Sequence, residues 1–230
     1  VWHAPAVPAL FGWPAPDWLT AANDFFLPFR MPSLMFLSGL LLAGSLKKGW
    51  REYYVGKFRS LVWPYVLWSL IYFTQYEPTH PLTHWRAWYA VGYLWFLFFI
   101  TVYYFIAPVV TRVFPPWLTP WLFMVASIPL GPSVEKRLLF FGTFFFLGYW
   151  FARQPKLLTM IKGWPALCMG AIGVAWGVTS AIFGLELAYR GEFALLSISG
   201  LLGACWLVAQ AKGRWIRPIT FIGRHSLVYY

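Results

Sequence analysis

Negative charge is the scarcest commodity in this chain. Its 230 residues include only seven Asp and Glu against 18 Lys and Arg, and charged residues of every kind make up 11%. An ordinary soluble domain carries about a quarter charged residues, so the composition excludes a solvent-covered globule of this length. Cysteine is nearly absent too. Cys168 and Cys205 fall inside apolar runs with no CxxC and no paired spacing, so both read as small buried hydrophobes. No GxSxG, Walker loop or dinucleotide fingerprint occurs, which counts against a serine hydrolase with a nucleophile elbow. His80 and His84 have an i, i+4 spacing, but Pro81 separates them and no Glu completes an HExxH. No metal site and no bound cofactor are expected.

Apolar surface fills the space that charge leaves. Hydrophobic residues make up 60%, mean hydropathy is +0.61, and there are 16 Trp, 13 Tyr and 22 Phe. Aromatic rings near segment ends suit the boundary between lipid and water. A net charge of +11 raises nucleic acid as a partner. The bases sit in short stretches between apolar runs rather than on one soluble face, so the partner is the lipid bilayer, with no nucleic acid.

Measured against the roughly 20 residues needed to cross a bilayer, apolar runs cover Met31–Leu46, Leu61–Tyr76, Val91–Val110, Trp117–Gly131, Leu138–Ala152, Pro165–Leu185 and Ala194–Ala211. An eighth starts near Pro218 and is still apolar at Tyr230. The expected fold is all-α, a polytopic transmembrane bundle of about eight segments forming one membrane-embedded domain over residues 1–230. Alternate connections then sort by charge. Lys47, Lys48, Arg51, Lys57, Arg59, Arg112, Arg153, Lys156, Lys162, Lys212, Arg214 and Arg217 fall on one side with Glu52 as the only acid. Arg30, Arg86, Lys136, Arg137 and Arg190 fall on the other with six acids. Hydropathy alone set the segments, so this alternation checks them independently, and the first set is assigned to the cytoplasm. Val1 lacks a charged, signal-like start and the chain is apolar to its last residue. It therefore reads as an interior piece of a longer membrane protein, lacking most of a first helix and whatever follows Tyr230.

Ionisable groups within such a bundle are functional candidates by default. His3, at the outer end of the truncated first helix, is a candidate general base, because imidazole titrates near neutrality; an interfacial histidine is the structural alternative. Arg30, at the outer mouth of the next helix, is either a functional cation or a snorkelling anchor. Lys57 and Arg59 at the basic return are either ligand contacts or orienting charges. Arg224 and His225 lie inside the last apolar run and need a partner or a cavity. Ser38 and Gly39 are a small pair that admits another backbone or a ligand. A small transporter or channel would also use Arg224 and His225, but the paired broken helices of many transporters are not evident. A structural scaffold would leave the intramembrane bases unexplained.

Five motifs then occur in order: FRMPSLMFLSG (Phe29–Gly39), GKFRSLVWPYVLW (Gly56–Trp68), LWFL (Leu94–Leu97), FFFLGYW (Phe144–Trp150) and FIGRHSLVYY (Phe221–Tyr230). Together they resemble the acyltransferase 3 family of integral membrane O-acyltransferases. The resemblance implies that an acyl group, acetyl or succinyl, passes from cytoplasmic acyl-CoA to a hydroxyl of a carbohydrate or lipid-linked glycan, typically at a bacterial inner (plasma) membrane. It also implies about ten helices and an essential histidine, matched by His3, about eleven residues after an Arg that would precede Val1. The family's RxxR is imperfect here: Lys57 and Ser60 take its spacing and Arg59 is offset. Acyl transfer needs a base, an oxyanion donor and cations for the CoA phosphates. His3, Arg30 and the Lys47–Arg59 cluster suit these roles in turn, with Ser38, Trp95, Arg224 and His225 as further substrate contacts.

Overall fold

The computed structural model describes residues 16–78, 80–184 and 188–210. His3, Arg224, His225, the bases between Ala211 and Pro218, and the eighth apolar run lie outside the described residues. Among the described residues the chain is helical with no strand. The helices are α1 (Asp17–Phe25), α2 (Leu27–Ser45), α3 (Trp50–Lys57), α4 (Trp63–Gln75), α5 (Trp95–Val113), α6 (Thr119–Ser127), α7 (Val134–Arg153), α8 (Lys156–Met160), α9 (Trp164–Phe183) and α10 (Ala194–Gln210).

Four helical runs are long and apolar enough to cross a membrane: Leu27–Ser45, Gly92–Val113, Trp164–Phe183 and Gly191–Gln210. The expected count of about eight is therefore not established. The nine residues of α6 span only about 14 Å, and α7 has the length but carries Glu135, Lys136, Arg137 and Arg153 near its ends. Between those ends α7 is buried on every side, from Phe140 through Tyr149, as expected of a helix that is apolar all round. It is the axis of the core, and α2, α5 and α6 pack around it. Ser133 caps its start, the Oγ accepting the N–H of Lys136 at 3.1 Å. The helix pair α9 and α10 meets through glycines: a Cβ on Gly203 would stand 2.6 Å from the Gly170 nitrogen, the close approach typical of small-residue packing in membranes. Gly184, at φ 84°, ends α9 in a conformation that favours glycine.

The basic return is largely helix rather than loop. Only Leu46–Gly49 turns the chain, and α3 runs into α4 through a widened π turn at Phe58–Val62. Pro64 explains that turn, because its ring excludes a regular bond to the carbonyl four residues earlier. The apolar run starting at Leu61 is thus the second half of a 26-residue helix beginning at Trp50. Its first half lies along α5, where the Tyr53 hydroxyl donates to the Tyr104 carbonyl at 2.7 Å, and in its second half the Tyr65 hydroxyl donates to the Trp88 carbonyl, ahead of α5, at 2.7 Å. Cys168 is exposed on α9 rather than buried as expected, while Cys205 is half-buried.

Connections with like charge meet at the same end of the bundle. The Arg112 guanidinium stands 5.6 Å from the Trp50 ring. At the other end the Tyr89 hydroxyl donates to Glu135 at 3.0 Å, and the Tyr189 ring lies 5.1 Å from that of Phe141. With Cys168 and Cys205 replaced, single cysteines at Lys48 and Arg112 should be labelled from one side of intact membranes, and one at Arg86 from the other. Labelling of positions 48 and 86 from the same side would overturn this arrangement.

Candidate functional site

The structure moves Arg30 inward from the helix mouth expected of it. Only Phe26 interrupts the helical path from Asp17 to Ser45. The Phe25 ring fits against Gly177 and the Phe29 ring against Gly200. These glycines lie six and nine residues from the near ends of α9 and of the Gly191–Gln210 run, so this turn sits roughly 9–14 Å inside them. Arg30 is half-buried there, and its Nη1 donates to the Oδ1 of Asn23 at 2.5 Å. Asn23, 5% exposed, passes its own Nδ2–H to the Asp24 carboxylate at 3.1 Å. Among the described residues the ion pairs are Lys48–Glu52 and Arg190–Glu192, and Arg30 belongs to neither. Tyr189 is close enough to feel Arg30, but burial pushes its hydroxyl up to about 12, so it stays neutral. Beside Arg30 opens a cleft of about 410 Å³, lined by Ser33, Phe25, Phe29 and the backbones of Gly170, Gly173 and Gly200.

A second basic site lies at the opposite end of α2. The Lys57 Nζ donates to Ser45 Oγ at 3.2 Å and stands 3.5 Å above the centre of the Tyr104 ring. Desolvated cation–π contacts of this kind are the stronger ones. Tyr104 is fixed in turn, its hydroxyl donating to the Ser38 carbonyl at 2.8 Å. Arg59 does not join this group. Two residues along a helix turn the side chain by roughly 200°, and Arg59 is exposed where Lys57 is half-buried. The expected Lys57–Arg59 pair is therefore divided between two faces.

Ser38 connects with Lys57 only through Tyr104, and its own hydroxyl bonds back to the Leu34 carbonyl at 2.8 Å. Trp95 opens α5 at the other end, stacked on Phe141 at 5.4 Å. Phe141 also touches Tyr189, which lies close enough to feel Arg30. His84 uses its Nδ1 to accept the Arg86 N–H at 3.2 Å. Sequence reasoning missed Asn23, Ser45, Tyr104 and Tyr189. Three are ordinary residues in a chain full of such types, and only the NDFF run ahead of Arg30 offered a signal.

The sequence model of the acyltransferase 3 family, described as an acyltransferase domain, matches residues 1–230. This chain belongs to the acyltransferase 3 family. No curated protein and no solved structure matches it. Membership makes the chain an acyltransferase and decides against the transporter or channel. For an acyltransferase, the geometry offers two cationic sites at the two ends of one helix. Ser45 is fifteen residues beyond Arg30 on α2, or about 22 Å along the axis.

Proposed function

We propose that this acyltransferase moves an acetyl or succinyl group from acyl-CoA on the cytoplasmic side to a hydroxyl of a carbohydrate or lipid-linked glycan on the other side of a bacterial inner membrane. The separation of Arg30 from the Lys57–Ser45 site along α2 carries the reading, because two substrates arriving from opposite sides need sites at opposite ends. The Lys57 end carries the base-rich connections and is taken as cytoplasmic. There the acyl-CoA donor, a substrate rather than a bound cofactor, would place its phosphates against Lys57, with Arg59 at the outer rim. His3 would take the proton of the acceptor hydroxyl as its oxygen attacks the thioester carbonyl. Arg30 would stabilise the oxyanion. When the tetrahedral intermediate collapses, the carbon–sulfur bond breaks and the CoA thiolate leaves, taking up the proton that His3 carries.

Lys57→Ala should weaken acyl-CoA binding by on the order of 1–3 kcal/mol, the worth of a charge-assisted phosphate contact. Arg59→Ala should cost less, because Arg59 points away from the Tyr104 site. Isothermal titration of the full-length protein with acetyl-CoA and succinyl-CoA tests both. Unchanged affinity in the double variant would assign both bases to anchoring. The reading as a whole is tested by supplying acyl-labelled CoA to inside-out membrane vesicles and following label into glycan. Transfer only when donor is supplied to the opposite face would reverse the assignment of the two ends.

A further inference from the structure

We propose that Asn23 is a positioning residue that holds the Arg30 guanidinium without neutralising it. This rests on the reading of Arg30 as the oxyanion donor. An arginine inside a helical bundle ordinarily pairs with a carboxylate. Among the described residues its side-chain contact is the neutral Asn23 amide at 2.5 Å, while the Asp24 carboxylate lies one hydrogen bond further back. The order matters because a guanidinium already paired with a carboxylate has less field to offer a developing negative charge. Asn23 Oδ1 engages one of the five guanidinium N–H groups, and Arg30 itself lines the cleft. The break at Phe26 and the lean of helical side chains toward the N-terminus let Arg30 reach back seven residues to this amide.

Exchanging the two side chains separates a positioning role from a purely structural one. The double variant Asn23→Asp, Asp24→Asn keeps one amide, one carboxylate and the net charge. It moves the carboxylate from the second contact to the first. In full-length protein, kcat should fall by about tenfold or more, a part of the 10²–10³-fold lost when one oxyanion donor is removed outright. KM for donor and acceptor should change little, and thermal unfolding should stay near wild type, because a new ion pair replaces the old hydrogen bond. Asp24→Asn alone leaves the Arg30 contact intact and should keep kcat at or above wild type. Arg30→Lys, run alongside, should lower kcat. A swap variant with wild-type kcat beside an impaired Arg30→Lys would overturn the role of Asn23 and leave that of Arg30 standing. Wild-type kcat in Arg30→Lys would remove the Arg30 reading first. Should the swap fail to fold, a loss of kcat in Asp24→Asn would be enough to sink the proposal.

Discussion

In the full-length protein, His3→Ala is expected to lower acyl transfer by roughly 10²–10⁴-fold, the usual contribution of a positioned general base. A sugar hydroxyl is a poor nucleophile until its proton has somewhere to go, and imidazole is the side chain that accepts and returns a proton near neutral pH. Protein level and acyl-CoA binding should stay near wild type, because the donor's phosphates would be held at the Lys57 end, away from His3. His3→Gln keeps hydrogen-bonding capacity but cannot cycle a proton in this range, so it should be nearly as impaired. Steady-state transfer to the glycan, with donor affinity measured in parallel, separates chemistry from binding. Either variant retaining more than about a tenth of wild-type turnover would lose less than the smallest effect expected of a base. His3 would then be structural, and His225, the other histidine in an apolar setting, would be tested next.

Much of this architecture was legible because hydropathy and charge are independent signals that agree. Alternation of Lys and Arg placed Trp50 and Arg112 at one end before the structure brought them to 5.6 Å. The error at the basic return has the same origin as that success. Hydropathy treats Arg51, Lys57 and Arg59 as the end of a span, while the backbone hydrogen bonds of α3 are indifferent to what the side chains carry. The helix therefore begins at Trp50, and its charged face is sorted by rotation, Lys57 inward and Arg59 outward. Arg30 was found as an isolated base before an apolar run, but its depth was not, because that depends on Phe25 and Phe29 docking on glycines of α9 and α10. Tyr104 was invisible for a plainer reason. In a chain with 13 Tyr, nothing local marks the one whose ring lies under a lysine.

The close crossing of α2 and α7 gives the largest stability effect expected within the described residues. A Cβ on Gly39 would fall on the Phe145 carbonyl and 3.1 Å from the Tyr149 nitrogen; one on Gly148 would fall on the Phe36 carbonyl and 3.0 Å from the Leu40 nitrogen. Both obstacles are backbone, so no side chain can rotate aside and the helices must separate. Gly39→Ala and Gly148→Ala should each cost about 1–3 kcal/mol, the usual range for overpacking, and Gly39→Leu considerably more. Gly44, in the same helix, has nothing within 4 Å of the added carbon, so Gly44→Ala should be neutral or stabilise by up to about 1 kcal/mol. Thermal unfolding in detergent distinguishes the two. Gly39→Ala at wild-type stability would mean that the backbones do not meet there. The double variant Gly39→Ala, Gly148→Ala should cost less than the sum of its parts, since both changes relieve one contact by the same separation. Activity should suffer beyond stability. Arg30 and Ser45 both ride on α2, while Trp95 is held against Phe141 of α7. A displacement of α2 by about 1 Å is enough to cost on the order of 10²-fold in rate, so Gly39→Ala protein that still folds should transfer poorly.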